Sequence, residues 1–556
     1  MSHISKIKIK NFRGLKELTL DLGPEKFVII IGRGDSGKST ILSAIHAVLC
    51  PSWNLALSDL DFYNQDTSKP IEIEAQLTDL PEDLIKFSKY GLYLGNELSE
   101  DDPSKFFITV RLLVDETLEP HWYVKARADA NIEDKAISSH DRALFGVNYI
   151  SDYTDNQFSY NRQSPLYGLT KLSMDNSVTI ERVKSKILRS MSSNADEELL
   201  KPLNEPLDNL KAAASLLGLT LGSISANLDI KDNTYTGNSI SLHNDDKPFR
   251  VQGKGTKRLM SIAIQTELAK LGGITLIDEL EQGLEPDRII TLVRLLKTTH
   301  KGQVFITTHS AHVVVEAQWN NIFVLQNEGL AIRQIDDSLE ACRRTQPHTF
   351  FAKKVICCEG KTECGYLRAI DSWLLKNMGL NMSSLGCVVV DSAGGNNMYT
   401  YAIKLKNLGY NTLIFADNDK PKELEQFKRQ ASCNGIEMLL CDENNCLEKQ
   451  IFTDLPWQAI NRFINMSHDE LPSDKIIFSE DILQLLESSD EFKHKEVRER
   501  ISVLSVKKGN EWFKNIPGGE FLGSLVMSSF QRDNSDTTTQ NIVNLLTWLG
   551  IKCVTN

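Results

Sequence analysis

The sequence predicts an α/β protein of two successive units, each with a sheet whose strand ends carry polar motifs, and a helical region that closes the chain. Three observations predict this class. A glycine-rich loop, GRGDSGKST at 32–40, stands between the apolar strand KFVIII and the helical stretch STILSAIHAVLC. From VICC onward, strand and helix patterns alternate through CVVV, TLIFA and MLL, the mark of a parallel doubly wound sheet. The length, 556 residues, exceeds what one hydrophobic core usually supports.

The elements follow in order. Residues 4–31 read as a strand (ISKIKIKNF), a turn at Arg13-Gly14, a second strand (LKELTLDL) and a third (KFVIII), with a helix at 39–50. Strands follow at 71–80, 106–114 and 121–126, the last two forming a hairpin across DETLEP. Helix formers at helical spacing fill 176–216, and an insert at about 172–220 reads as a helical arm. Strand signals return near 224–242. Then come a helix at 256–271, the strand ITLID at 274–278, a helix at 287–299 and the strand QVFITT at 303–308. Polar residues at 335–350 mark a boundary, giving a first domain at 1–345, a second at 350–450 and a mostly helical extension at 451–556. In the second domain, helices are expected from 362, near 398–407 and near 421–434.

Composition narrows the class. Hydrophobic residues make up 41% and charged residues 24%, as in ordinary globular proteins. No apolar run reaches the ~18 residues of a membrane span. The start, MSHISKIKIKNF, alternates like a strand and lacks the apolar core of an export signal. Ten cysteines are scattered without CxxC pairs, and Cys357 and Cys358 fall inside an apolar strand, so reduced thiols and a cytoplasmic setting are expected. A net charge of −12 argues against a broadly basic surface but leaves room for a local basic patch.

The first motif is a phosphate-binding loop. Its pattern is GxxxxGK[ST], and its context is a strand before and a helix after. Gly32, Gly34, Asp35, Ser36, Gly37, Lys38, Ser39 and Thr40 would wrap phosphates with backbone N–H groups at a helix N-terminus. Lys38 would bridge the outer phosphates and Ser39 would hold Mg²⁺. ITLIDELEQGLEP at 274–286 supplies Asp278 for the Mg²⁺ and Glu279 to orient a water. His309, just past QVFITT, would sense the terminal phosphate. NFRGL, GRGDSGKST, IDELEQGLEP and TTHS resemble the ATP-binding heads of the ABC superfamily, in its chromosome-maintenance and recombination branch. QGKGTKRL at 252–259 is the candidate for that family's signature motif, departing from the Leu-Ser-Gly-Gly core and keeping Gly253 and Gly255. The resemblance implies ATP with Mg²⁺ and a dimer in which this motif caps the partner's nucleotide.

The second motif set is acidic. Glu359 follows the VICC strand and Glu363 opens the next helix. Asp417 and Asp419, in TLIFADNDK, lie two apart at a strand end, where period-two geometry points both the same way. Strand ends of a parallel sheet gather on one edge. Carboxylates converging there repel one another unless cations such as Mg²⁺ or Mn²⁺ lie between them, and a pair of ions is the arrangement that serves phosphodiester cleavage. The alternative is that the glutamates cap a helix and the aspartates serve a turn. EGKTE and DND resemble the glutamate and DxD elements of the TOPRIM fold, with DSAGGNN at 391–397 as its glycine turn.

An ABC-type head followed by TOPRIM resembles the OLD (overcoming lysogenization defect) family of nucleases over about 5–450. The whole is then an ABC-type ATPase head with an inserted helical dimerisation arm, a TOPRIM (Rossmann-like) domain and a helical C-terminal region. The resemblance implies metal-dependent cutting of DNA, dimers or higher assemblies through the ATPase half, and a role in defence against phage. It also implies that some members work beside a helicase-like protein, or beside a retron reverse transcriptase and its RNA–DNA product. Glu448, in NNCLEKQIF, sits where the family has a further acid, and it reads equally as a solvated helix residue. Phe415 replaces a serine found in some members. Lys514, in EWFKNIPGG, is the first choice for a late charge-stabilising lysine, with Lys507 and Lys508 as rivals. Basic stretches at 353–355, 420–430 and 492–500 are candidate DNA contacts that also read as solvated faces. The main alternative is an ATP-switched DNA scaffold or clamp without nuclease activity. A topoisomerase needs a catalytic tyrosine on a gate domain for which no room is left after 450, and a primase needs a zinc element that the cysteine spacing does not offer.

Overall fold

A computed structural model of the chain describes all residues except 1, 97–105, 128–131, 151–157, 160–163, 167–168, 170–200, 229–239, 270–272, 327–330, 467–470, 474–475, 479–481, 483–490, 508–510, 532 and 552–556. The chain divides into two compact units, Met1–Ile335 and Asp336–Asn556. The division falls at the start of the polar stretch, and the last hundred residues belong to the second unit rather than standing apart.

In the first unit, β1 (His3–Phe12), β2 (Leu15–Asp21), β3 (Phe27–Ile31) and helix α1 (Lys38–Leu49) follow the sequence pattern. An antiparallel sheet has the order β2-β1-β4-β5-β6, with β4 at Ile71–Thr78, β5 at Phe106–Val114 and β6 at Pro120–Val124. β4 alternates buried and half-buried residues, so one of its faces meets the core. The hairpin of β5 and β6 pairs Val114 with Pro120.

A second sheet of six strands carries the nucleotide motifs. It contains β7 (Val147–Ile150), β8 (Ile274–Ile277), β9 (Gln303–Thr308), β10 (Ile322–Gln326) and β11 (Ala331–Gln334), in the order β11-β10-β3-β9-β8-β7. All its pairings are parallel except that of β10 with β11. Val28, Ile29, Ile30 and Ile31 of β3 are all buried, as a parallel strand covered on both faces requires. One core joins both sheets and α1. Helix α2 (Lys201–Leu216) packs on α3 (Lys254–Ala269), and α4 (Pro286–Thr299) follows the acidic strand. Of the predicted helical arm only α2 is described; the stretch ERVKSKILRSM lies outside the described residues.

The second unit is a four-stranded parallel sheet in the order β13-β12-β14-β15: β12 is Lys354–Cys358, β13 Cys387–Asp391, β14 Asn411–Ala416 and β15 Glu437–Leu440. Helices α5 (Lys361–Met378), α6 (Gly395–Leu408) and α7 (Glu425–Cys433) make the crossovers. The helices α8 (Leu447–Asp454), α9 (Trp457–Ile464), α10 (Glu491–Val506), α11 (Ile516–Ser528) and α12 (Thr537–Leu549) complete the unit. They share one core with the sheet: Ile356, Leu413 and Phe415 pack in the same cluster as Phe452, Trp512, Phe513 and Leu546. Cys357 and Cys358 are buried free thiols.

The contact of α5 with α11 sets the second site. A Cβ on Gly365 would stand 2.2 Å from the Ile516 carbonyl, and one on Gly519 would stand 2.1 Å from the Thr362 carbonyl. Only glycine permits this approach. It brings the segment before α11 onto the start of α5, where the Thr362 hydroxyl donates to the Phe513 carbonyl at 3.0 Å.

Candidate active sites

In the first unit, α1 opens at Lys38 with no side-chain cap, so its first-turn N–H groups face the loop. The Lys38 ammonium donates to the carbonyls of Gly32 (3.1 Å) and Arg33 (2.7 Å). Burial holds it below its ordinary value, against the pull of Asp278, Glu279 and Glu281. Ser39 Oγ donates to Asp278 Oδ1 at 3.0 Å, which joins the two predicted Mg²⁺ residues. Thr307 Oγ1 donates to the same Asp278 oxygen at 2.5 Å and accepts the Glu279 N–H at 2.9 Å. His309 lies beyond β9, its imidazole held below the ordinary value first by burial and then by Lys38.

Three residues here were not singled out from the sequence. Glu281 accepts from Thr308 Oγ1 (2.6 Å) and the His309 N–H (2.5 Å), fixing the histidine turn to the acidic turn. Thr307 and Arg258 hold the backbone of the acidic pair. Only Glu281 left a sequence signal, as a third acid in DELE.

In the second unit, Glu359 follows β12, Glu363 lies in the first turn of α5, and Asp417 follows β14. Glu363 Oε2 accepts the Gly360 N–H at 3.0 Å and so caps its own helix. Asp417 Oδ1 accepts the Leu447 N–H at 2.7 Å at the start of α8, the helix that carries Glu448. The capping alternative is therefore part of the arrangement. Asp417 and Asp419 do not face the same way. β14 stops at Ala416, and Asn418 is pinned by its N–H to Asn445 O (2.9 Å) and its amide to Cys441 O (3.0 Å). Asp417 is buried and Asp419 exposed. Period-two geometry does not extend to the pair, because β14 ends at Ala416 and both aspartates lie beyond it.

The acids form two neighbouring sets. Burial, then Glu448 and Glu359, push the Glu363 carboxyl above its ordinary range. Burial, then Glu363 and Glu448, do the same to Asp417. Glu359 is raised by burial and then by Asp419, with Lys514 and Lys420 opposing. Glu448 is 1% exposed, which decides against a solvated helix residue. Its Oε1 has no hydrogen-bond partner among the described residues and lies 3.8 Å from Lys514 Nζ. Burial lowers the Lys514 ammonium, but Glu448, Asp417 and Glu363 outweigh it and leave it raised. Lys507 follows the end of α10 and is exposed, and Lys508 lies outside the described residues. Phe415 is buried against Tyr366, ring centroids 5.6 Å apart.

Among the described residues, no three His, Cys, Asp or Glu side chains stand close enough to hold a metal ion as placed. The donor chemistry nonetheless fits one. Acid oxygens dominate the cluster and raise one another's affinity for protons, Lys514 supplies a single opposing charge, and a buried carboxylate oxygen has no hydrogen-bond partner among the described residues.

The basic stretches spend part of their charge on structure. Lys354 donates to the carbonyls of Trp548 (2.9 Å) and Leu549 (2.8 Å) at the end of α12. Lys428 donates to Asn418 Oδ1, Arg429 pairs with Glu425, and Arg500 pairs with Glu496. Arg498 donates to Phe452 O at 2.9 Å. Among the described residues, no helix is long and apolar enough to cross a membrane.

Fold and motifs define an ATPase head followed by a TOPRIM domain. Residues 3–314 match the family described as AAA ATPase domain, and residues 350–419 match the overcoming lysogenization defect protein-like TOPRIM domain. The chain belongs to the AAA ATPase domain family and carries an OLD-like TOPRIM domain after it, the domain order of an OLD-family ATPase–TOPRIM protein. A curated relative, the ATP/GTP phosphatase of Helicobacter pylori (strain ATCC 700392 / 26695), is 24% identical over 352 residues, 56% of this chain and 86% of the relative. Similar solved structures include an Smc head bound to the C-winged helix domain of ScpA, with TM-score 0.39 and 15% identity over 61% of this chain and 99% of that one. Another is an Smc head with an extended coiled coil bound to the C-terminal domain of ScpA derived from Pyrococcus furiosus, with TM-score 0.37 and 16% identity over 60% and 97% of the two chains.

Proposed function

We propose that this protein is a metal-dependent DNA endonuclease of the two-metal type, whose ATP-binding head controls its activity or assembly, acting in defence against phage. The observation that carries the reading is the cluster of Glu363, Asp417 and buried Glu448 around Lys514, beside the more open pair Glu359 and Asp419. These five carboxylates would hold Mg²⁺ or Mn²⁺. Such ions, when bound, supply Lewis-acid charge and an activated water for phosphodiester cleavage. Lys514 adds a fixed positive charge beside the acids, suited to the negative charge that builds on a phosphate. In the head, Ser39 and Asp278 would hold the Mg²⁺ of bound ATP, Lys38 would exchange its loop carbonyls for phosphate oxygens, and Glu279 would orient the water.

Homodimers or larger assemblies through the ATPase half belong to the same reading, as does a helicase-like or reverse-transcriptase partner. The capping bonds of Glu363 and Asp417 favour a second reading, an ATP-switched DNA scaffold in which the acids are structural. Cleavage of supercoiled plasmid in Mg²⁺ or Mn²⁺, with and without ATP, separates the two. Cutting by the wild type that is lost in Asp417→Ala supports the nuclease. Equal cutting by both proteins removes the chemistry from this site.

A further inference from the structure

Arg258 lies one turn into α3 and is 2% exposed, buried beneath the acidic turn of the head. Its Nη2 donates to the carbonyl of Asp278, and at 3.1 Å to the carbonyl of Glu279. Glu279 has φ of 46°, a left-handed conformation that is costly for a side-chain-bearing residue and persists only where its surroundings enforce it. The enforcement is visible on both sides. Thr307 Oγ1 takes the Glu279 N–H at 2.9 Å, and Arg258 takes the Glu279 carbonyl. The start of α3 is itself locked to the same turn, since a Cβ on Gly255 would meet the Gly283 carbonyl at 2.6 Å. A charged donor is a strong partner for a carbonyl, and a buried guanidinium has few other ways to be solvated.

We propose that Arg258 is a positioning residue for ATP hydrolysis. With Thr307, it holds the strained backbone of Glu279 so that the carboxylate meets the attacking water. Arg258 acts chiefly on turnover, because its bonds to the Asp278 and Glu279 carbonyls hold the backbone that carries the hydrolytic carboxylate. The inference rests on reading Glu279 as the water-orienting acid.

The test is steady-state ATP hydrolysis by the full chain. It is expressed as kcat per site that binds a fluorescent ATP analogue, so unfolded protein drops out of the rate. Displacing a reacting group by ~1 Å costs on the order of 10²-fold. Arg258→Ala is expected to lose about that much in kcat, with the analogue's Kd and the KM within about twofold. Arg258→Lys reaches one carbonyl and recovers an intermediate rate, and it carries the test if the alanine variant does not fold. Thr307→Val moves kcat the same way, and the double variant loses less than the product of the two. Arg258→Ala turning over like wild type while Glu279→Gln is inactive overturns the inference alone. So does a fall in analogue affinity as large as the fall in kcat. Wild-type turnover by Glu279→Gln overturns the reading of Glu279, and this inference with it.

Discussion

The buried charges of this chain show how much a single residue's meaning depends on what faces it. Glu448 reads from the sequence as one acid among many on a helix. Its burial beside Lys514 comes from two segments that meet only in three dimensions, so no local pattern could announce it. Asp336 gives a case where the charge is structural. It caps a short helical turn through the Ser338 N–H (3.1 Å) and pairs with Lys404 at 2.6 Å. Lys404 first, then Ser338, hold its carboxyl down from the ordinary 3.8 to about 2. A depressed acid contributes stability above its unfolded pKa and loses that contribution as pH falls through the folded one. The pair is more than a third exposed, so the effect is small. Asp336→Asn keeps the cap and removes the charge. In urea denaturation it should be less stable than wild type at pH 7, with the gap closing as pH falls from about 4 toward 2. A gap that stays constant over that range would show that the carboxylate's charge is not its source.

At the scale of elements, the approach of α5 and α11 decides where Lys514 stands. The sequence shows PGG after the lysine but not what the glycines meet. Gly519→Ala separates two opposed effects. Alanine favours a helix by about 0.5–1 kcal/mol over glycine. A Cβ 2.1 Å from the Thr362 carbonyl must push the helices apart, an overpacking cost of about 1–3 kcal/mol. The second term wins, so the variant should unfold at lower urea and cut plasmid more slowly. A neutral or stabilised variant would mean that the helices are not held at this distance. The same contrast explains what was legible. The alternation from β12 to β15 was readable because each strand is a short apolar run closed by a polar turn. The loop at 32–40 was readable because its chemistry is local. Strands β7 and β10 carry no alternation that marks them in the sequence, although IFVLQ is as apolar as its neighbours. The helices after 451 read as an extension because helical periodicity says which face is buried, not against what. They supply Phe452 and Leu546 to the core of the unit, and the segment between α10 and α11 adds Trp512. Arg258 and Thr307 lie 20 and 29 residues from Asp278 and become one device with it only when β8, β9 and α3 are in place.

At the scale of the whole molecule, the proposed function gives the chain two phosphate-handling sites of different kinds, one in each unit. The first has the marks of a switch. Ser39 and Asp278 are already joined, and Lys38 is satisfied by carbonyls of its own loop, an arrangement that bound phosphates would replace. The second has the marks of a cutter, with mutually repelling acids that a cation would relieve. A net charge of −12 opposes general attraction of DNA, so on the proposed function DNA is held by local, arranged charges. If the head supplies that arrangement, the two sites are coupled, and the coupling has a free energy that can be read from either side. Lys38→Ala removes the ammonium that would grip ATP and leaves every acid of the second site in place. Plasmid cutting and sedimentation are measured with and without ATP, beside Asp417→Ala. ATP should change the cutting rate or the assembly of the wild type and leave Lys38→Ala unmoved, while Asp417→Ala should still assemble with ATP but not cut. A Lys38→Ala protein whose cutting, regulation and oligomeric state all match the wild type would show that the head does not govern the second site.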